Sequence, residues 1–164
     1  MDAAATTARA LAQEPRPAAV LHVGIAGARR AAGLPLRTAV LGAGSVYEDA
    51  AAGQWVVHRL EPDASLLAAA QAALPTAAVL PIGTSARVGG GGSAAQVEAM
   101  EGFAVLRACV LAEVPALELR VVSNEVEEPD RSRWDFSGAL GALAEVLPVA
   151  VAAVAAAVAG APRP

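Results

Sequence analysis

Short apolar runs alternate with helix-length segments along this chain, and that alternation constrains its fold more than any other feature. Val20–Val23, Arg37–Leu41, Gln54–Leu60, Ala77–Ile82 and Pro115–Val122 read as strands. The first is a continuous apolar run flanked by turn signals, which suits burial. Gln54–Leu60 alternates instead, through Trp55, Val57 and Arg59. Ala3–Gln13, Asp63–Ala73, Val97–Leu111 and a last segment from about Ser137 to Ala159 read as helices. Asp63 and Asp135 stand where side-chain caps belong. The PRPAA run ends the first helix, because proline disfavours helical backbone in the residue before it. Gly89–Ser93, GGGGS, reads as a flexible connector and Glu125–Arg133 as a polar loop. Strands alternating with helices predict an α/β fold around a mixed, mostly parallel central sheet. The 164 residues suit one domain with a single core.

Composition narrows the function classes. Hydrophobic residues make up 55% of the chain and aromatics only 3%, so the core must be built from Leu, Val and Ala. The net charge is −4 and there is no lysine, so nothing supplies the cationic stripe that nucleic-acid phosphates need. The single cysteine, Cys109, excludes an internal disulfide and a paired-cysteine metal site, and its apolar helical setting reads as a buried, inert thiol. No His/Cys cluster exists, so neither a metal nor an organic cofactor is expected. His22 and His58 both fall in strands and read as structural. The N-terminal MDAAATTARALA starts acidic and lacks a continuous apolar stretch, unlike a secretory leader, which points to a soluble cytoplasmic protein. From Ala139 to Ala161 the only charge is Glu145, and the run approaches membrane-spanning length. It consists mostly of Ala and Val, contains Pro148 and lacks aromatic or basic anchors, so a helix packed on a sheet or at a subunit interface is the reading preferred.

In open α/β sheets ligands sit beyond the carboxyl ends of the strands. That selects three loops: GIAGA (Gly24–Ala28), GTSAR (Gly83–Arg87) and SNEVEE, which begins at Ser123. The spacing Gly24, Ala26, Gly27 lets a backbone approach a ligand closely, although a plain tight turn has the same composition. VEAMEG (Val97–Gly102) is expected to open a helix. A carboxylate at Glu101 there could accept two hydrogen bonds from a vicinal diol, with Met100 as an apolar face for the sugar. A solvated acidic first turn is the competing reading. Arg120 lies in a strand otherwise made for burial, so it is either paired with an acceptor or pointed into a site. Ser123 and Asn124 put two small polar groups at the sheet's rim, which is also ordinary turn chemistry.

Taken together, VLHVGIAGA, AMEG and LRVVSN resemble the purine nucleoside phosphorylase and nucleosidase superfamily. EAMEGFAV and SNEVEEPDRSRWD are similar to the futalosine hydrolases in particular. The resemblance implies a three-layer phosphorylase-like fold and a nucleosidase that cleaves the N-ribosyl bond of futalosine, releasing hypoxanthine on a route to menaquinone. It assigns Asn124, Arg120 and Ser123 to the purine and the reaction. Glu101 and Met100 go to the ribose, and Gly24, Ala26 and Gly27 to the backbone behind both. Thr84 and Ser85 are assigned to cover of the base. The partners implied are a small nucleoside and further copies of the chain in a homodimer or larger homo-oligomer, with no nucleic acid and no membrane.

Asn124 discriminates within the superfamily. Members that release adenine carry Asp at this place, where a protonated acid can donate to N7 and accept from the exocyclic amine. An asparagine NH2 donates instead to N7 and O6 of a 6-oxopurine, which are both acceptors, so hypoxanthine is the expected leaving group. Two departures from the pattern are expected to matter. The family begins with a strand and a glutamate loop that activates water, and this chain starts at the helix that follows. The segment between Ile82 and Val97 is also short. The expectations are therefore a single domain over 1–164, incomplete at its N-terminus, and weak binding with very slow turnover or none. Glu48 or Asp49 would be the substitute for the base if turnover were normal. The alternatives are a non-catalytic nucleoside-binding paralogue, a methylthioadenosine-type nucleosidase, or a phosphorylase using Arg29, Arg30 and Arg87.

Overall fold

The computed structural model describes residues 2–49, 55–87 and 95–160. In chain order the elements are α1 (Asp2–Leu11), β1 (Val20–Ala28), β2 (Ala39–Tyr47), β3 (Arg59–Leu60), α2 (Ala64–Ala73), β4 (Ala78–Thr84), β5 (Val97–Ala99), α3 (Gly102–Leu111), β6 (Ala116–Glu125) and α4 (Phe136–Gly160). The strands form one mixed sheet in the order β3-β2-β4-β5-β1-β6, and β6 pairs again with β2. Five strands therefore close into a ring with β3 attached to β2. The long pairings, β1 with β6 and β2 with β4, are parallel, as is β4 with β5. The short pairings of β5 with β1, β3 with β2 and β6 with β2 are antiparallel.

Period-two alternation in β1 and β6 divides the core into layers. Leu21, Val23 and Ile25 of β1 and Leu117, Leu119 and Val121 of β6 face α2 and α4, where they meet Leu66, Ala70, Leu143 and Val154. Inside the ring Ala26, Val40, Ile82, Val97 and Val122 pack together. On the far side α1 and α3 cover the sheet through Leu11, Val105, Leu106 and Cys109. The result is three layers, helix, sheet, helix, as expected. Burial pushes the Cys109 thiol's pKa up, which keeps it protonated and unreactive.

Several elements end elsewhere than the sequence suggested. GIAGA is not a loop: β1 continues through it to Ala28, hydrogen-bonded to β6 on one side and, at its end, to β5 on the other. β2 likewise runs on through its glycines to Tyr47, and β6 through Ser123 and Asn124 to Glu125. Of the expected strand Gln54–Leu60 only Arg59–Leu60 pairs. Its alternation has no buried face to serve, since Trp55 is 83% exposed and Val57 is exposed as well. Gln54 and the GGGGS run lie outside the described residues. Val97–Ala99 does not open a helix either. It is the short, fully buried strand β5, which bridges β4 and β1, and α3 begins only at Gly102.

α4 is long and apolar enough to cross a membrane by length and composition. Here it lays one stripe, Ala139, Leu143, Ala150 and Val154, against the sheet and α2, while Leu140, Val149 and Val151 remain exposed. Asp135 caps it by accepting from the Gly138 N–H at 3.0 Å. Asp63 caps α2 the same way, accepting from the N–H groups of Ser65 and Leu66 at 2.9 and 3.0 Å. Asp63→Ala is expected to lower stability by about 1 kcal/mol, whereas Asp63→Asn keeps most of it. Urea unfolding of the two variants beside the parent checks this.

Candidate active site

The register of β1 against β6 builds the site. Gly24 lies opposite Arg120 and Gly27 opposite Asn124, with a shift between Ala26 and Gly27. A side chain at Gly24 would collide with the Arg120 guanidinium, and one at Gly27 would come within 2.9 Å of the Asn124 amide nitrogen. The two glycines are thus the room into which the two polar side chains fold.

A cleft of about 360 Å³ opens at this end of the sheet. Ala26, Gly27, Ser123 and Asn124 form one wall and Met100 another. Trp134 and Phe136, packed edge to face with centroids 5.6 Å apart, close a third side. Ser123 is buried, and its hydroxyl lies 2.8 Å from Asn124 Oδ1 and 3.2 Å from the Ala26 carbonyl. Its one proton serves the shorter contact, so Ser123 donates to the amide oxygen and fixes which way the NH2 end points. One of those N–H groups donates to the Glu125 carbonyl at 3.0 Å, leaving one for a ligand.

Behind the cleft sits a buried ionic cluster. Arg120 Nε donates to Glu118 Oε1 at 2.8 Å, and Arg120 Nη2 makes a short contact with His22 Nε2. The same Nη2 lies 3.6 Å from Glu101 Oε2. The Arg120 and Glu118 side chains are 4% and 1% exposed, whereas Glu101 is 47% exposed and reaches solvent. Breaking such a buried pair from one side costs about 3–5 kcal/mol, so Arg120 and Glu118 stand or fall together. Burial raises the Glu118 carboxyl's pKa, opposed by the Arg120 charge. Burial, followed by the Arg120 charge, lowers the His22 ring to about 4.

Arg120 is therefore paired and buried; Met100 and Asn124 line the cleft together, whereas Glu101, the next residue after Met100, is not among its lining residues and reaches solvent beside Arg120. Thr84 and Ser85 do not line the cleft. Thr84 Oγ1 accepts from the Phe103 N–H at 2.8 Å and so caps α3, and the Ser85 hydroxyl is turned onto Arg87. Of the arginines considered for phosphate, Arg29 is held by Glu98 and Glu127, and Arg30 by Glu125. Arg87 lines the cleft. Asp49 is occupied by the Ala86 N–H at 2.7 Å, and Glu48 Oε1 is buried without a hydrogen-bond partner. Sequence reasoning missed Glu98, Arg131, Trp134 and Phe136. A usable signal existed for the last two, because the chain has only five aromatic side chains and two of them stand here together. An apolar groove between α1 and α3 of about 460 Å³ is larger, but its lining of Ala, Leu and Phe with Arg107 offers no chemistry.

No family model matches the chain. A futalosine hydrolase of Streptomyces coelicolor is 49% identical over 53 residues, which is 32% of this chain and 23% of that protein. One of Acidothermus cellulolyticus is 54% identical over 46 residues, 28% of this chain and 19% of that protein. The chain thus matches less than a quarter of the length of either relative. Among solved structures, a methylthioadenosine/S-adenosylhomocysteine nucleosidase of Colwellia psychrerythraea in complex with adenine superposes with a TM-score of 0.82 at 18% identity. It covers 93% of this chain, which in turn covers 73% of it. Futalosine hydrolase of Helicobacter pylori superposes with a TM-score of 0.81 at 18% identity, over 92% of this chain and 74% of that one. The chain has the nucleosidase fold, and its sequence is similar to futalosine hydrolase. Within that fold the cleft and the ionic cluster described above come from this chain's own residues.

The His22 shift has a sign. Between pH 6.5 and about 4 the unfolded chain protonates this ring and the folded chain does not, so stability falls as pH is lowered through that window. The urea midpoint is expected to drop between pH 7 and pH 4.5, with a shallower slope in His22→Gln. Equal slopes in the two proteins would assign the effect to another group.

Proposed function

We propose that the cleft binds a 6-oxopurine nucleoside and that the protein hydrolyses the N-ribosyl bond of futalosine to release hypoxanthine. The observation that carries this reading is the Asn124 amide. The Ser123 hydroxyl donates to its oxygen and the Glu125 carbonyl takes one of its N–H groups, which orients the amide and leaves the second N–H for the base. N7 and O6 of a 6-oxopurine accept, whereas the exocyclic amine of adenine donates. The partial likeness to futalosine hydrolases supports the same substrate class.

In this reading Trp134 and Phe136 flank the base, Met100 packs on the sugar and Glu101 accepts from its hydroxyls. The C1′–N9 bond lengthens toward an oxocarbenium-like state, and its electron pair moves onto the purine. The Asn124 N–H stabilises that developing charge, a donor preorganised by Ser123 before the bond breaks. Water then adds to C1′, and the proton it loses ends on the departing purine, giving neutral hypoxanthine and the free sugar. Glu98, the carboxylate that lines the cleft, is committed to Arg29. The reading needs no metal or organic cofactor and places a soluble homo-oligomeric enzyme in the cytoplasm.

The direct test incubates the purified protein with futalosine and follows hypoxanthine by chromatography. Release of hypoxanthine, however slow, that disappears in Glu101→Gln supports the reading. Preferential cleavage of methylthioadenosine overturns it. Calorimetry is expected to show inosine binding at least roughly tenfold tighter than adenosine, the order of one hydrogen bond made or lost. Asn124→Asp is expected to reverse that preference.

A further inference from the structure

Arg120 is a buried cation held from two directions. Glu118 accepts from its Nε–H at 2.8 Å and neutralises it, and the Gly102 backbone at the start of α3 is pressed so closely on the Glu118 carboxylate that no Cβ fits there. His22, on β1 two residues before the glycine that makes room for Arg120, meets the guanidinium's Nη2 through its ring Nε2. An arginine has donors only, so that ring nitrogen must be the acceptor, which places the ring proton on Nδ1. The ring adds no charge to the cluster. What it adds is direction: with Nε–H on Glu118, a second fixed contact at Nη2 removes the remaining rotation of the guanidinium plane. That same Nη2 is the atom 3.6 Å from Glu101 Oε2.

We propose that His22 is a positioning residue for Arg120 and, through it, for the carboxylate of Glu101, the residue that follows Met100 of the cleft wall. The consequence for ligands rests on the reading of Glu101 as the ribose-binding group. Because Glu118 already neutralises Arg120, Glu101 is oriented without being consumed as the counter-ion, and it keeps its acceptor strength for sugar hydroxyls.

The test has one arm that needs no nucleoside and one that does. Long-range ¹⁵N–¹H spectra of the intact protein at pH 7 should show His22 as the neutral Nδ1–H tautomer. The Arg120 Nε–H should be protected from exchange, with protection falling roughly tenfold in His22→Ala and returning in His22→Gln, whose amide oxygen can accept in the ring's place. An Nε2–H tautomer, or unchanged exchange in His22→Ala, overturns the proposal. In the second arm calorimetry compares inosine with free hypoxanthine. His22→Ala should weaken inosine by roughly tenfold, leave hypoxanthine unchanged because the base lacks the sugar, and be rescued by His22→Gln. Loss of both ligands together would mean general loosening of the fold and would overturn the positioning role. If the parent protein binds neither ligand, the nucleoside reading fails, and the tautomer and exchange data alone decide the clamp.

Discussion

The parallel pairing of β1 with β6 is the constraint on which the rest depends. Nine residues of β1 are held against β6 from Val20 opposite Ala116 to Ala28 opposite Glu125, with one shift after Ala26. Side chains alternate between faces, so slipping this register by one residue would send Arg120 and Asn124 into the apolar layer under α4 and expose Leu119 and Val121. The shift also matters. It lets Gly27 rather than Ala28 fall opposite Asn124, which gives the amide the space it occupies.

Placing an ion pair inside a sheet made of Ala, Val and Leu is expensive, and desolvation can exceed the Coulombic gain. The chain offsets that cost at the guanidinium, although Glu118 Oε2 is buried without a hydrogen-bond partner. Arg120 has Glu118, His22, Glu101 and, at 3.5 Å, the Ile25 carbonyl around it. Such a network limits how far β1, β6 and the start of α3 can move relative to one another, since shifting any of them exposes a buried charge or leaves one unpaired. Rigidity where Glu101 and Asn124 emerge is what a site needs when misplacement by about 1 Å is costly.

The cleft draws on segments far apart in sequence. Ala26 and Gly27 come from β1, Met100 from the turn after β5, Asn124 from the end of β6, and Trp134 and Phe136 from the entry to α4. Short β5 is what makes this possible. By pairing with both β4 and β1 it brings the Met100–Glu101 turn back over the carboxyl ends of the parallel strands, where ligands of α/β sheets collect.

Sequence alone determined the layers and the chemistry on offer. Alternating apolar runs and helical segments established the α/β class, Asp63 and Asp135 marked two helix starts, and Met100–Glu101 with Arg120, Ser123 and Asn124 stood out as polar groups in apolar surroundings. Local pattern could not decide where strands end. Gly24 and Gly27 read as turn residues because glycine breaks strands by itself, but tertiary partners override propensity when a large side chain needs the vacated space. Val97–Ala99 looked helical for the related reason that three residues carry no usable period, and only pairing on both sides makes them a strand. The role of His22 was beyond reach because its partner Arg120 lies 98 residues away and only the closed ring brings the two together. Which donor of Asn124 is free was equally hidden, because it depends on how the adjacent Ser123 hydroxyl and Glu125 carbonyl point in the folded strand.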